Sequence, residues 1–147
     1  MFEEGGQAGS VIDRECVVQR RVAQVGIDQE HFQFRIPRKR FGKIADAMGK
    51  EKVELKYEWN TPSSVIDVEK ALSEHADIDA IFIQVCESAG GLRHPVEAIA
   101  KRAKEINPDI MIVADGITAV GVEPIDVTHI DALITGSQKA LMLPPGL

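Results

Sequence analysis

Three short, almost entirely apolar runs constrain the fold of this chain more than any other feature. They are residues 80–85 (AIFIQV), 110–114 (IMIVA) and 132–135 (ALIT). Runs of this length and composition are typical of strands that are buried on both faces of a parallel sheet. A further segment, residues 53–57, alternates apolar and charged side chains and is typical of a half-buried strand. Small or polar residues directly follow each apolar run, which indicates where the strands end.

Helical patterns separate these predicted strands. The first helix ends near Gly49, Asp67 can cap the second, and Pro95 suits the first turn of a third that stops before Asn107 and Pro108. The apolar faces of the three helices are, in chain order, Phe41, Ile44, Ala45 and Met48; Val68, Ala71 and Leu72; and Val96, Ile99, Ala100, Ala103 and Ile106. Strands that alternate with helices predict an α/β fold with a mostly parallel sheet and flanking helices.

Residues 1–37 fit this scheme poorly. They have no clean hydrophobic period and no Gly-rich phosphate loop, and glycines and charges are scattered through them. We assign no element to this segment and expect it to pack loosely or to adopt a structure of its own. The predicted organisation is therefore an unassigned segment, residues 1–37, followed by one domain, residues 38–147.

Composition and charge exclude several classes of function. The chain is 44% hydrophobic and 27% charged, as in ordinary globular domains, and its net charge of −6 argues against binding to nucleic acid or an anionic membrane. No apolar stretch approaches the roughly 20 residues that span a bilayer, and a signal-peptide pattern is missing, so we expect a cytoplasmic protein. The two cysteines have no metal-site spacing, and Cys86 is interpreted as a small core residue.

Polar residues that can carry chemistry follow the three apolar runs. Ser88, Asp115 and Lys139 each come just after a predicted strand. Each of them alone would more often be an ordinary loop, cap or surface residue. Because parallel strands end at one edge of a sheet, where such folds bind ligands, we expect all three to lie at that edge. A lysine amine and an aspartate carboxylate placed together suit pyridoxal-phosphate (PLP) chemistry, in which the amine reacts with the aldehyde and the carboxylate pairs with the ring nitrogen.

Four stretches of the chain have recognisable motifs: residues 136–146 (GSQKALMLPPG), 114–119 (ADGITA), 87–91 (ESAGG) and 40–49 (RFGKIADAMG). In this order they resemble the lysine motif, the aspartate motif, the serine-bearing loop and one helix of the class V aminotransferases. The resemblance is to the branch that contains alanine–glyoxylate, serine–pyruvate and serine–glyoxylate aminotransferases. The resemblance implies a partial large domain of the PLP-dependent transferase fold type I.

The resemblance also implies a role for each candidate residue. Lys139 would be the Schiff-base lysine and the base of the 1,3-proton shift, and Asp115 the partner of the pyridine nitrogen. Ile117 would lie against one face of the ring. Ser88 would form a hydrogen bond near the ring hydroxyl, and Gln138 would lie by the cofactor phosphate. The implied reaction moves an amino group from a small amino acid to a 2-oxo acid such as glyoxylate or pyruvate, without a metal.

The chain departs from the family at several points. Ala89 stands where relatives usually have Ser or Thr, and Pro37 stands where an aromatic residue stacks on the ring in relatives. The upstream phosphate-binding loop and the small C-terminal domain, with its arginine for the substrate carboxylate, have no counterpart in the sequence. We therefore expect a fragment that is a poor or inactive aminotransferase as it stands, from a lineage that forms homodimers.

Two other functions and one related activity remain as alternatives. A non-catalytic remnant or assembly module could keep the fold without the activity. A nucleotide-binding α/β domain is disfavoured because no Gly-rich phosphate motif follows a strand. A cysteine desulfurase or selenocysteine lyase typically has a histidine just before the lysine, whereas this chain has Gln138, which favours transamination.

Overall fold

The computed structural model describes residues 21–27, 40–88 and 90–146. Strands and helices alternate along this part of the chain. In chain order the elements are β1 (Arg21–Ile27), α1 (Arg40–Ala47), β2 (Lys52–Tyr57), α2 (Val65–Glu74), β3 (Ile78–Gln84), β4 (Cys86–Glu87), β5 (Leu92–Arg93), α3 (Val96–Ile106), β6 (Met111–Asp115) and β7 (Ala132–Ile134). The four strands predicted from the sequence are all present, with ends within two residues of the predicted ones.

Five of the strands form one sheet in the order β2-β1-β3-β6-β7, and every neighbouring pair is parallel. The remaining two, β4 and β5, form a short antiparallel hairpin directly after β3. The predicted α/β class with a mostly parallel sheet is confirmed. Because the five strands run in one direction, their carboxyl ends meet at a single edge, which we call the carboxyl edge.

Strand β1 corrects the sequence analysis, which assigned no element to residues 1–37. It lies between β2 and β3, and Val25 is opposite both Leu55 of β2 and Ile83 of β3. Ala23 is 2% exposed and belongs to the hydrophobic core. The sheet therefore extends across the predicted boundary between residues 37 and 38.

The signal for β1 was present but weak. Its sequence, RVAQVGI, contains β-branched residues that favour strands, yet it lacks strict alternation and includes a glycine. Residues 1–20 and 28–37, Pro37 among them, lie outside the described residues. For those positions the expectation of loose or unusual packing stays a prediction.

Helix α2 begins one turn earlier than the predicted cap implied. Ser64 is the N-cap, with extended backbone, and its hydroxyl oxygen accepts a hydrogen bond from the Asp67 amide at 3.4 Å. The prediction that Asp67 caps this helix is therefore wrong. Asp67 lies in the first turn instead, where a negative charge interacts favourably with the helix dipole.

The two longer helices pack on the sheet through most of the predicted faces. The buried side chains are Val68, Ala71 and Leu72 of α2 and Val96, Ile99, Ala100 and Ala103 of α3. Ile106, at the end of α3, is 40% exposed, so its predicted burial is wrong. The centre of the core is formed by β3 and β6, where Ile81 and Ile112 have no exposed surface.

Helix α1 is attached less firmly than its pattern suggested. Ala45 is buried and the ring of Phe41 packs on Phe82 of β3, with 5.0 Å between the ring centroids. Ile44 and Met48 are exposed, and Met48 lies beyond the helix end in the turn that precedes Gly49. Gly49 has a positive φ of 66°, a conformation that favours glycine after a helix.

Across the described ranges, no helix is both long enough and apolar enough to cross a membrane.

Cys86 is half-buried and packs against the core, as its interpretation as a small core residue implied.

Candidate active site at the carboxyl edge

The candidate residues from the sequence all follow the carboxyl ends of adjacent strands. Asp115 is the last residue of β6 and is opposite Gln84 of β3 and Ile134 of β7. Ser88 lies in the turn after β4, which follows β3, and Lys139 lies in the turns after β7. The expectation that these residues share one edge of the sheet agrees with this topology, whereas their individual roles are not decided by it.

The backbone around Asp115 holds its carboxylate in place. Its Oδ1 accepts a hydrogen bond from the amide of Ile117 at 3.1 Å, which closes a tight turn directly after the strand. Its carbonyl oxygen accepts one from the Val85 amide at 2.9 Å. Asp115 is half-buried, so its carboxylate is held by the Ile117 amide and still has access to solvent.

Gly116 allows β6 to pass close to β7. A Cβ atom at this position would lie 2.8 Å from Leu133 Cδ1 and 3.1 Å from Val120 Cγ2. The Gly116 amide donates to the Ile134 carbonyl at 2.8 Å, which extends the β6–β7 pairing by one bond. The glycine thus sets the distance between the strands that lead to Asp115 and to Lys139.

The lysine segment is a compact loop closed by its own hydrogen bonds. The Ser137 hydroxyl donates to the Pro144 carbonyl at 2.6 Å, and the Leu143 amide donates to the Ser137 carbonyl at 3.0 Å. Lys139 is exposed at the top of this loop, and its carbonyl accepts a bond from the Met142 amide at 2.9 Å. A lysine amine on a closed, solvent-accessible loop can act as a nucleophile or as a base.

Gln138 folds back over its own loop. A Cβ atom on Gly136 would lie 2.6 Å from Gln138 Oε1, so the amide group of Gln138 packs directly on the Gly136 backbone. Gln138 is nevertheless exposed. The side chain can therefore reach a ligand above the edge only if it turns away from Gly136.

Ser88 lies at the exposed tip of the hairpin formed by β4 and β5. Cys86 pairs with Arg93 and Glu87 with Leu92, and the amide of His94 donates to the Val85 carbonyl at 2.9 Å to close the base of the hairpin. Gly90, at the same tip, lies beside Trp59, since a Cβ atom there would be 3.6 Å from the Trp59 indole. The hairpin thus projects over the carboxyl edge toward the loop after β2.

A loop that directly follows β6, residues 116–123, contacts both neighbouring loops. The Thr118 hydroxyl donates to the Cys86 carbonyl at 3.1 Å, which joins this loop to the Ser88 hairpin. On the other side, Gly121 has a φ of 85°, and a Cβ atom there would lie 3.2 Å from Ala140 Cβ in the lysine loop. We call residues 116–123 the bridging loop.

Ion pairs strengthen one of these connections. The Arg93 guanidinium donates to Glu97 through both terminal nitrogens and to Glu123 Oε2 through Nε at 3.0 Å. The hydrogen bonds with Glu97 raise the pKa of Arg93, and those from Arg93 lower the pKa of Glu97. Arg93 therefore ties β5 to α3 and to the end of the bridging loop.

Sequence analysis did not select the residues that join these loops. Thr118 lies inside the aspartate motif and Gly121 lies two residues after it, so their spacing from Asp115 was the signal available in the sequence. Two buried polar side chains were also missed: Glu87 is 1% exposed and His94 is 2% exposed. His94 Nδ1 accepts the Ser63 amide at 3.0 Å, a contact between distant segments that has no sequence signal.

The arrangement is suited to reactions in which an amine and a carboxylate of the protein bind a ligand and transfer protons. In the part of the chain that the structure describes, no group of three or more His, Cys, Asp or Glu could hold a metal ion. An amine, a carboxylate and a hydroxyl instead follow the ends of β7, β6 and β4, on loops that contact one another. Such a set can bind a polar heterocycle and move protons beside it.

Several known proteins are similar to this chain in sequence. A model of the aminotransferase class-V family matches residues 43–147. An uncharacterized aminotransferase of Helicobacter pylori (strain J99) is 57% identical over 108 residues, which cover 74% of this chain and 29% of that protein. The serine–glyoxylate aminotransferase of Methylorubrum extorquens is 31% identical over 108 residues, which cover 71% of this chain and 27% of that protein.

The fold also matches a solved aminotransferase. The subgroup IV aspartate aminotransferase of Thermus thermophilus superposes with a TM-score of 0.69 at 26% identity, over 86% of this chain and 33% of that one. The chain spans about 29% of the length of the Helicobacter protein that it matches. The family match covers the strands and loops of the carboxyl edge from β2 to the lysine loop. The chain therefore belongs to the class-V aminotransferase family.

Proposed function

We propose that the chain is part of the large domain of a PLP-dependent aminotransferase that moves an amino group from a small amino acid to a 2-oxo acid such as glyoxylate or pyruvate. The observation that carries the proposal is the register Asp115↔Ile134 between β6 and β7. Because Asp115 is opposite the last residue of the strand that leads to Lys139, the register supports a site shared by these two residues, within a region that matches the family. A homodimer in the cytoplasm is part of the same proposal for the full-length enzyme.

The residues present fit the cofactor by their chemistry. When bound, PLP supplies an aldehyde that reacts with amines and a pyridinium ring that accepts electrons from the substrate carbon. Asp115 would hold the proton on the ring nitrogen, because the bond from Ile117 fixes its carboxylate and a charge-assisted bond to the ring is a strong one. Lys139 would hold the aldehyde end and, as a base, would move the proton from the substrate Cα to the cofactor carbon that was the aldehyde.

The three other candidate residues would orient the ring. Ile117 follows the Asp115 turn and is half-buried, so its side chain can cover one face. Ser88, at the exposed hairpin tip, would donate or accept at the ring hydroxyl. Gln138 would approach the phosphate after turning off Gly136, and its amide can donate two hydrogen bonds there.

The substrate class rests on relatives, and on charge. The Methylorubrum relative is named for serine and glyoxylate, and both carry a carboxylate. Arg93, in the hairpin at this edge, is already bound to Glu97 and Glu123 and so cannot hold a substrate carboxylate as well. We therefore expect the 147-residue chain by itself to turn over slowly, below about 1 s⁻¹, because a poorly positioned substrate loses much of the benefit of binding.

Chemical trapping of PLP tests the proposed role of Lys139. The chain is incubated with PLP, reduced with borohydride, digested, and its labelled peptides are mapped. We expect label mainly on the peptide that contains Lys139, and loss of that label in Lys139→Ala. The matched control is Lys101→Ala, an exposed lysine on α3, which should leave the labelling unchanged.

The same samples are assayed for transamination of alanine with glyoxylate. Slow turnover that disappears in Lys139→Ala but persists in Lys101→Ala would support the proposal. Equal labelling of many lysines, unaffected by Lys139→Ala, would contradict it and favour a non-catalytic remnant or assembly module of the same fold.

A further inference from the structure

Thr118 makes one of two side-chain bonds that join the bridging loop to the hairpin of β4 and β5 in the described part of the chain, and Glu123 makes the other with Arg93. The Thr118 Oγ lies 3.1 Å from the Cys86 carbonyl oxygen, and the threonine is half-buried. Thr118 comes three residues after Asp115, and Cys86 comes two residues before Ser88. The bond therefore spans the gap between two candidate cofactor contacts that belong to different strands.

The hairpin is short, and its tip is exposed although the neighbouring Glu87 is only 1% exposed. The two strands β4 and β5 have two residues each, and Ser88 and Gly90 at the tip are exposed. Arg93 holds the second strand through Glu97 and Glu123, and it is the residue that pairs with Cys86 across the hairpin. The Thr118 hydroxyl bond to Cys86 therefore anchors the first strand, which leads to Ser88, at the same cross-strand pair where Arg93 anchors the second.

We propose that Thr118 is a positioning residue: its hydroxyl bond to the Cys86 carbonyl sets the Ser88 hairpin relative to Asp115. Ser88 and Asp115 then approach a bound ring from fixed directions. This inference rests on the proposed function for its meaning, because only a ligand between the two residues makes their separation matter. The bond itself and its effect on the hairpin exist without the ligand.

The bridging loop is the right element for this task. Its start is fixed by the Gly116 amide bond to Ile134 at 2.8 Å, and its far end by Glu123 and Arg93. Gly121 packs against Ala140 of the lysine loop in the same segment. The bridging loop is therefore attached to β7 at its start and to β5 of the hairpin at its end, and Arg93 of β5 is in turn bonded to α3 through Glu97.

Trp59 provides a built-in reporter of the hairpin. It is the single tryptophan of the chain, it is 46% exposed, and Gly90 at the hairpin tip packs beside its indole. Its emission should change when the tip moves, and it should be quenched when a chromophore such as PLP binds at the carboxyl edge. Fluorescence thus follows both the hairpin and the ligand without any measurement of turnover.

The test compares Thr118→Val, which keeps the shape and removes the hydroxyl, with Thr118→Ser, which keeps the hydroxyl. Amide hydrogen exchange is measured in residues 86–93 and in β6. With Thr118→Val we expect exchange in the hairpin to rise about two- to tenfold, the effect of one typical hydrogen bond, and exchange in β6 to stay unchanged. Thr118→Ser should restore the wild-type rates.

Binding of PLP is then measured by quenching of Trp59. Thr118→Val should weaken binding by a similar two- to tenfold, and Thr118→Ser should not. The matched control is Thr128→Val, because the Thr128 hydroxyl also donates a hydrogen bond, in this case to the Asp126 carboxylate in the loop before β7. It should change neither the hairpin exchange nor the affinity for PLP.

The outcomes separate this inference from the proposed function. If the wild-type chain shows no quenching by PLP, the proposed function fails, and the exchange data alone decide whether Thr118 holds the hairpin. Exchange that rises equally in the hairpin and in β6, or not at all, would overturn the inference. If Thr118→Val does not fold, Thr118→Ala replaces it, and failure of Thr118→Ser to differ from Thr118→Ala would count against the role.

Discussion

The centre of the sheet and its β7 edge are stabilised in different ways. Ile81 of β3 and Ile112 of β6 have no exposed surface, whereas Ile134 of β7 is 37% exposed. Only Leu133 of β7 packs against the core, and the Ile112 amide donates a hydrogen bond to the Asp131 carboxylate just before β7 at 2.6 Å. Hydrophobic burial thus stabilises the centre, and polar contacts position the strand that leads to Lys139.

This difference implies that the fold and the candidate site can be perturbed separately. Deleting apolar atoms in the centre should unfold the chain, because cavities in a packed core are costly. Changes at the edge should move the lysine loop at a smaller cost to the stability of the whole. Three predictions test this comparison.

The largest effect is expected for Ile81→Ala. It should lower the free energy of unfolding by about 2–5 kcal/mol, the usual range for removing most of a buried isoleucine side chain. Ile134→Ala is the matched control, and it should cost less than about 1 kcal/mol because its side chain is already partly in water. Urea unfolding measures both values, and equal costs would show that β7 is as well buried as β3.

An intermediate effect is expected for Gly116→Ala at the junction of β6 and β7. The new methyl group would lie 2.8 Å from Leu133 Cδ1, so we expect a cost of about 1–3 kcal/mol from overpacking. Gly90→Ala is the control, because the nearest atoms to its Cβ lie 3.6 Å away, an ordinary contact. A cost for Gly116→Ala as small as the control would mean that Leu133 moves aside and that the edge is softer than the distance suggests.

The smallest effect is the pH dependence contributed by Asp131. Burial raises its pKa, but the hydrogen bonds from the Ile112 amide and from Lys104 more than offset this and lower the pKa below its usual value. Because its pKa is lower in the folded state, the ionised carboxylate adds to the stability of the fold at pH values above its unfolded pKa of about 3.9. This contribution is lost as the pH falls through the pKa of the folded state.

Asp131→Asn should remove that part of the pH dependence. Because the side chain is 40% exposed, solvent screening limits the expected difference to about 0.5–1 kcal/mol at neutral pH. Urea unfolding of both proteins at pH 7 and near pH 3 measures it. If the two proteins differ in unfolding free energy by the same amount at pH 7 and near pH 3, Asp131 does not help to hold β7.

The sequence was most informative where burial and local pattern agree. The runs that became β3 and β6 are apolar on both faces, so their composition alone indicated buried parallel strands. Ser88 follows β3 in the hairpin and Asp115 ends β6, and the order of strands along the chain was enough to expect these residues at one edge. The cap of α2 was misassigned because Ser64 and Asp67 are both residue types that cap helices well. The two are distinguished by the extended backbone conformation of Ser64, which identifies it as the N-cap.

Strand β1 shows what local patterns cannot reveal. It has an irregular sequence, yet it is an interior strand of the sheet, between β2 and β3. Its position depends on pairing with strands that come later in the chain and on the burial of Ala23. No short-range signal encodes such pairing.

By itself, the sequence determined the α/β class, the apolar strands and the motifs with Lys139 and Asp115, because these depend on composition and on spacing along the chain. The tertiary structure decided the place of β1, the clearance at Gly116 and the bond from Thr118 to Cys86. Those features depend on distances between segments that are far apart in sequence. Such distances arise only when the whole sheet is packed, because each is set by the neighbours on both sides.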